Sequence, residues 1–203
     1  MPNIYISPST QEYNPYITGS GSEEYWMNQI ADAMEPYLRA NTIRFTRNTP
    51  DMTAASSIAQ AARGSYDFYL ALHSNASGDG STTALGEVRQ PKPPSVLLEI
   101  GYHDNTADAV WIQDNVQNIA ENLSRSLAEY FALPFIYPMT PRTGTVVTER
   151  DALNVRAYPA MSGQVVGSVP HEAQLTVYGQ TDGWYSMGYG NLAGYVRSEY
   201  VRL

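Results

Sequence analysis

The first two thirds of the chain read as apolar strands alternating with amphipathic helices. Residues 4–6 (Ile4, Tyr5, Ile6) form a short apolar run and predict a strand. Residues 23–39 place Trp26, Met27, Ile30, Met34 and Leu38 on one face at helical spacing, with Pro36 expected to loosen the last turn. A strand is expected over 42–46 and a helix over Ala54–Arg63, which Gly64 stops. Two further apolar strands are expected over 66–72 and 95–100. One long helix is expected over 107–131, with Val110, Trp111, Val116, Ile119, Leu123, Leu127 and Phe131 turned inward. This alternation predicts an α/β domain with a mostly parallel sheet flanked by helices.

The pattern changes near residue 134. Residues 134–144 contain Pro134, Pro138 and Pro141 and read as a stiff linker. From Thr145 onward, short β runs are separated by glycine-bearing turns, among them Gly163, Gly167, Gly179, Gly183, Gly190 and Gly194. Turn signals at about 8–12 residue intervals predict a small all-β barrel. The expected division is therefore 1–133, a linker over 134–144, and a β module over 145–203.

Composition narrows the chemistry. The 203 residues carry 12 Lys and Arg against 20 Asp and Glu, a formal net charge of −8. That balance argues against nucleic acid as a partner, which needs a basic footprint. There is no cysteine, so disulfides, thiolate metal sites and cysteine nucleophiles are excluded. Only His73, His103 and His171 offer imidazole. No apolar run is long enough for a membrane span. The start has neither a basic n-region nor an apolar h-region, so no signal peptide is expected. The chain is expected to be monomeric.

Three segments carry candidate chemistry. The strand over 66–72 runs into His73-Ser74-Asn75, and polar residues at the C-terminal edge of a parallel sheet are where open α/β folds place ligands. A histidine that only caps a strand explains the same pattern. Glu23 and Glu24 open the first helix, where acidic residues also complement the helix dipole. Glu99 ends a strongly apolar strand, either as an edge carboxylate facing water or as a functional one. Together, His73 and Glu99 would end neighbouring strands and Glu24 would begin a helix at the same edge. An imidazole and a carboxylate there suit zinc with open positions, and a second carboxylate could take a proton from water.

These residues carry a family resemblance. Residues 3–132 resemble the zinc-dependent N-acetylmuramoyl-L-alanine amidases of the third amidase type, peptidoglycan hydrolases of bacteria and their phages. The matching pieces are Ile4-Tyr5-Ile6-Ser7-Pro8-Ser9 and Glu24 four residues before Asn28. They continue with Leu72-His73-Ser74-Asn75-Ala76, and with Val96-Leu97-Leu98-Glu99-Ile100-Gly101-Tyr102 followed by Asp104-Asn105. The resemblance implies zinc ligation by Glu24 and His73, catalysis by Glu99 and a substrate contact at Asn75. Residues 145–203 resemble a bacterial SH3-type domain through Leu153-Asn154-Val155-Arg156, Gly183-Trp184-Tyr185 and Gly194-Tyr195-Val196. Such domains often bind the peptide part of peptidoglycan, while Trp184, Tyr185 and Tyr195 could equally be core residues.

The chain departs from the family in two places. The histidine that usually follows the first strand is absent: Thr10 stands at its position with Gln11 beside it, and the resemblance then implies Gln11 as substitute zinc ligand, or a water in its place. The usual further strand and helix are also missing, since only residues 77–94 join the His73 and Glu99 segments. That length suffices for a loop crossover. The implied activity is cleavage of the amide between N-acetylmuramic acid and L-alanine of the stem peptide, at the bacterial cell wall, with zinc as cofactor. A phage lysin and a trimmed secreted enzyme are both consistent with the N-terminus. The alternatives are a catalytically degenerate wall-binding protein and a zinc peptidase acting on stem peptides. Tyr13, Tyr16 and Tyr25 are candidates for stacking on sugar or peptide, and His103 for a loop donor to substrate.

Overall fold

The computed structural model describes residues 1–76 and 86–203. Its contacts form two compact units: Asn3–Met34 with Phe45–Leu123, and Met1–Pro2 with Glu35–Arg44 and Ser124–Leu203.

The first unit is built on a four-stranded sheet in the order β2-β1-β3-β4. The strands are β1 (Asn3–Pro8), β2 (Arg44–Arg47), β3 (Phe68–Asn75) and β4 (Ser95–Tyr102). β3 pairs in parallel with β1 on one side and β4 on the other. Parallel strands need a crossover between them. Helix α1 (Glu23–Ala40) follows β1, and α2 (Ala54–Arg63) lies between β2 and β3. Thr53 caps α2 with a reciprocal capping box to Ser56, and Gly64 ends it. The short α3 (Gly86–Arg89) lies between β3 and β4, inside the segment read as a loop. The rest of the expected loop crossover, residues 77–85, lies outside the described residues.

The period-two pattern of the strands fixes what each face carries. Tyr5, Tyr69 and Ala71 cluster with Ile58 and Ala61 of α2. Ile4, Ile6, Leu70 and Leu72 alternate with them and are also buried. Met27, Ile30, Met34 and Leu38 of α1 are fully buried, as the helical spacing predicts, and Pro36 is accommodated without ending the helix.

The expected single long helix is two: α4 (Thr106–Asp114) and α5 (Val116–Tyr130), separated at Asn115. Asn115 leaves the helical region at φ −117° and ψ 16°, and this break rotates the apolar stripe. Val110 and Trp111, expected inward, are exposed on α4, whereas Ala109 and Ile112 are buried.

The second unit carries a seven-stranded antiparallel sheet in the order β11-β5-β8-β9-β10-β6-β7. Its strands are β5 (Pro138–Val146), β6 (Leu153–Arg156), β7 (Val165–Val169), β8 (Gln174–Thr181), β9 (Trp184–Tyr189), β10 (Leu192–Arg197) and β11 (Val201–Arg202). Val146, Val155, Val169, Val177, Met187 and Val196 are fully buried in its core. Trp184 and Tyr195 form a second buried cluster with Ile136. β5 begins at Pro138, so part of the proline-rich stretch is a strand. Asn41 fastens the segment just before it: its Oδ1 accepts from Ile136 N at 2.7 Å, and its Nδ2 donates to Ile136 O at 3.0 Å and Tyr37 O at 2.7 Å.

Candidate functional site

The C-terminal edge of the parallel sheet gathers most of the expected site residues. β1 runs out at Pro8, and Ser9 N still donates to Leu72 O at 2.9 Å. The chain then turns back on itself. Asn14 N donates to Gln11 O, and Glu23 N donates to Asn14 O. Gly19 and Gly21 take φ of +73° and +72°, values that side chains rarely adopt, and close this loop onto the start of α1. The first turn of α1 is thereby set beside the end of β3.

The carboxylate that meets His73 is that of Glu23, the neighbour of the expected ligand Glu24. His73 Nδ1 lies 2.9 Å from Glu23 Oε1. Glu23 is buried, while Glu24, one residue on, points 100° around the helix and is only partly covered. Partial burial and the nearby Glu12 carboxylate raise the Glu24 pKa.

The other ring nitrogen is also held. His73 Nε2 lies 2.8 Å from Glu87 Oε2 of α3. Glu87 Oε1 accepts from Ser7 Oγ at 2.7 Å and from Tyr69 OH at 2.9 Å. Burial alone would lower the His73 pKa, but hydrogen bonds and charge from Glu23 and Glu87 outweigh it and lift it to about 9. Burial likewise pushes both carboxyls up, and bonds from His73 reverse this and hold each below its ordinary value. The directions of these shifts favour an imidazolium held between two carboxylates.

Gln11 reaches the site through an intermediary. Asn14 Nδ2 donates to Gln11 Oε1 and to Glu23 Oε2, each at 2.7 Å. Glu99 stands directly opposite His73 in the β3–β4 register and is exposed to solvent. Asn75 spends its side-chain oxygen on Ala76 N, and its carbonyl accepts from His103 N at 2.8 Å.

His103 is not a solvated loop residue. It is 6% exposed, with Nδ1 3.1 Å from Ser74 O and its ring stacked on Tyr16 at 6.0 Å. Tyr16 is buried as well, so of the three candidate stacking tyrosines only Tyr13 and Tyr25 present their rings to solvent.

A resident zinc can be tested against this donor set. Nδ1 of His73 and Oε1 of Glu23 converge, and the Nε2–Glu87 contact is the outer hydrogen bond that a metal-bound imidazole usually makes. Among the described residues no group of three His, Cys, Asp or Glu side chains is arranged to hold a metal. The amide oxygen of Gln11 accepts from Asn14 Nδ2 at 2.7 Å and from Tyr13 OH at 3.3 Å. Only one imidazole and one carboxylate converge here, which by themselves are an incomplete donor set for zinc.

Two residues of this constellation escape the sequence. Glu23 and Glu24 are adjacent and only the phase of α1 separates them. Glu87 lies in a Gly- and Pro-flanked segment whose burial no periodicity announces.

No curated protein matches the sequence. Residues 151–202 match the family model described as bacterial SH3 domain. Among solved structures, the chain is similar to the catalytic domain of CwlV, an N-acetylmuramoyl-L-alanine amidase from Bacillus (Paenibacillus) polymyxa var. colistinus. The TM-score is 0.57 at 16% identity, covering 65% of this chain and 99% of that one. It is similar to N-acetylmuramoyl-L-alanine amidase AmiC2 of Nostoc punctiforme, with TM-score 0.55 at 15% identity over 64% of this chain and 97% of that one. The amidase from Clostridium difficile 630 gives TM-score 0.55 at 14% identity over the same shares, 64% and 97%. Among the described residues no helix is long and apolar enough to cross a membrane. The chain thus combines the fold of N-acetylmuramoyl-L-alanine amidase catalytic domains with a C-terminal segment that matches the bacterial SH3 domain.

Proposed function

We propose that the protein acts on peptidoglycan and hydrolyses the amide between the lactyl group of N-acetylmuramic acid and L-alanine of the stem peptide. The observation that carries this reading is the Glu23–His73 pair, 2.9 Å apart at the C-terminal edge of an amidase-type sheet, with Glu99 opposite His73 on the next strand. Glu23 and His73, with Gln11, would hold zinc. Bound zinc supplies Lewis acidity toward the amide carbonyl and toward water.

The chain's own groups do the rest. Glu99 takes a proton from the attacking water and returns it to the leaving nitrogen as the C–N bond breaks, giving a free lactyl carboxylate and a new L-alanine amino terminus. Glu87 and Glu23 keep the His73 ring in place. Asn75 lies beside the edge as a polar contact for the muramyl peptide. The SH3-type segment raises the local concentration at the wall by tethering.

The test is product analysis on defined muropeptides with the wild type and Glu99→Gln. The wild type should release L-alanine amino termini. Glu99→Gln should lose about 10²-fold or more of turnover while binding as much zinc. Near-normal release by Glu99→Gln overturns the mechanism, and cleavage only within the stem peptide points to a peptidase.

One observation favours a second reading, a wall-binding protein without catalysis. Both His73 nitrogens are satisfied by carboxylates in the metal-free protein, and only two charged-type donors converge. Less than about 0.2 zinc per chain after gentle purification, with retained sedimentation on peptidoglycan, supports it.

A further inference from the structure

We propose that the C-terminal segment carries an anion pocket of its own, which takes the free carboxylate at the end of a peptide whose last residue has a small apolar side chain. The proposal stands on residues of the β module alone and uses none of the zinc chemistry above, so either can fail without the other.

The strand register brings two cations together. Arg156, at the end of β6, pairs with Tyr195 of β10, and Arg197 lies two residues further along β10. Residues that pair across antiparallel strands share a face, as do residues two apart on one strand, so the two arginines are diagonal neighbours on one face. Both line a cavity of about 180 Å³ whose lining contains no Asp or Glu.

These charges are incompletely matched. Arg156 is partly buried and donates from Nη1 to a neutral group, Gly163 O, at 2.8 Å. Among the described residues no carboxylate pairs with it. Arg197 bonds a single carboxylate oxygen, Glu199 Oε1, through Nε and Nη2 at 3.0 Å each. Two guanidinium groups thus share one carboxylate, in a chain whose net charge is −8. A guanidinium has five N–H donors in a planar fork that matches a carboxylate, and Arg156 spends one of them on the Gly163 carbonyl.

The rest of the lining sets what carries the charge. Leu153 and Trp184 are buried and form an apolar floor, with Arg197 Cζ 5.6 Å from the Trp184 ring centroid. Met161 and Tyr200 are exposed and form an apolar rim that a flexible thioether can adjust. The Asn154 amide stands at the same cavity as a donor and acceptor for a peptide group. The volume is below the roughly 300 Å³ at which pockets enclose a whole small-molecule ligand, so a single terminal residue fits it. A bare phosphate would match the arginines and leave the apolar floor unfilled.

The experiment titrates the full chain with N-acetyl-alanyl-alanine, as the L,L and the D,D form. NMR follows the indole N–H of Trp184 and the Nε–H of Arg156 and Arg197. The C-terminal amide of each peptide and inorganic phosphate are titrated separately. At least one free acid should shift these signals and leave the indole N–H of Trp111, in the other compact unit, unmoved. The amide and phosphate should each bind at least about 10-fold more weakly, since each lacks one part that the lining matches. Arg156→Gln should weaken binding of the free acid by about 10-fold or more, with melting curves confirming the fold. If Arg156→Gln does not fold, Arg197→Gln decides by the same measure.

The proposal is overturned if neither free acid shifts Trp184, if acid and amide bind equally, or if the folded arginine variant keeps wild-type affinity. Phosphate binding as tightly as the peptides also overturns it, because the pocket would then read charge alone.

Discussion

Glu23 Oε1 lies 2.9 Å from His73 Nδ1, and Glu24 does not share that contact. Substitution at the two adjacent positions should therefore separate cleanly. Glu23→Gln should weaken zinc binding by about 10-fold or more and reduce muropeptide hydrolysis in parallel, because it removes a charged ligand and an outlet for the Nδ1 edge. Glu24→Gln should change either by less than about twofold, since surface substitutions away from a site are usually close to neutral. Calorimetric zinc titration of both variants checks this. Equal losses would return the ligand role to Glu24.

The triad predicts the pH dependence of stability in the metal-free protein. His73 is raised to about 9, so its contribution is complete below the ordinary histidine pKa of about 6.5 and is lost as pH rises through 9. Glu23 and Glu87 are lowered, so their contribution is present above the ordinary carboxyl range and is lost as pH falls through their depressed values. Urea midpoints in chelator should form a plateau between about pH 4.5 and 6.5 and decline on both sides. The alkaline decline is worth up to about 3 kcal/mol from the His73 shift. His73→Gln should flatten that limb, and a limb unchanged in this variant would refute the assignment.

Asn41→Ala should destabilise the unit formed by Glu35–Arg44 and Ser124–Leu203. The change leaves both polar groups of the Ile136 backbone without their partner in a buried place. The expected cost is about 2–4 kcal/mol by urea unfolding. Asn41→Asp keeps the acceptor for Ile136 N and loses the donor to Ile136 O, so it should retain only part of the effect.

Gly194→Ala should disturb the β6–β10 contact. An added Cβ would lie 2.5 Å from Val155 Cγ1 and 2.7 Å from the backbone oxygen of Arg156. Backbone cannot step aside cheaply, so a loss of about 1–3 kcal/mol is expected. Gly190→Ala meets open space but sits at φ +55°, so it should cost less. Thermal melts of the two variants should rank in that order.

Elements with a strong local signature were legible from the residues. Ala54–Arg63 is bounded by a capping threonine and a stopping glycine, and the helix has those bounds. Met27, Ile30, Met34 and Leu38 repeat at helical spacing and are buried. The site was legible only where a strand ends in a polar residue, as at His73 and Glu99. Choosing between Glu23 and Glu24 requires the phase of α1, which the glycine-closed loop before it sets through tertiary contacts. The break at Asn115 is a local change of backbone direction inside a sequence whose composition stays helical. Glu87 was hidden because its burial depends on Ser7 and Tyr69, residues far from it in sequence. His103 was hidden for the same reason, since Tyr16 and Ser74 cover it from other elements.

β5 has a practical consequence for anyone isolating the C-terminal module. It lies between β11 and β8 in the sheet, yet the family match begins at residue 151, after β5 has ended. A fragment cut at the matched boundary would expose the hydrogen-bonding edges of β8 and β11, and open edges recruit other chains. Such a fragment should self-associate, whereas one that begins before Ile136 retains the strand that closes the gap.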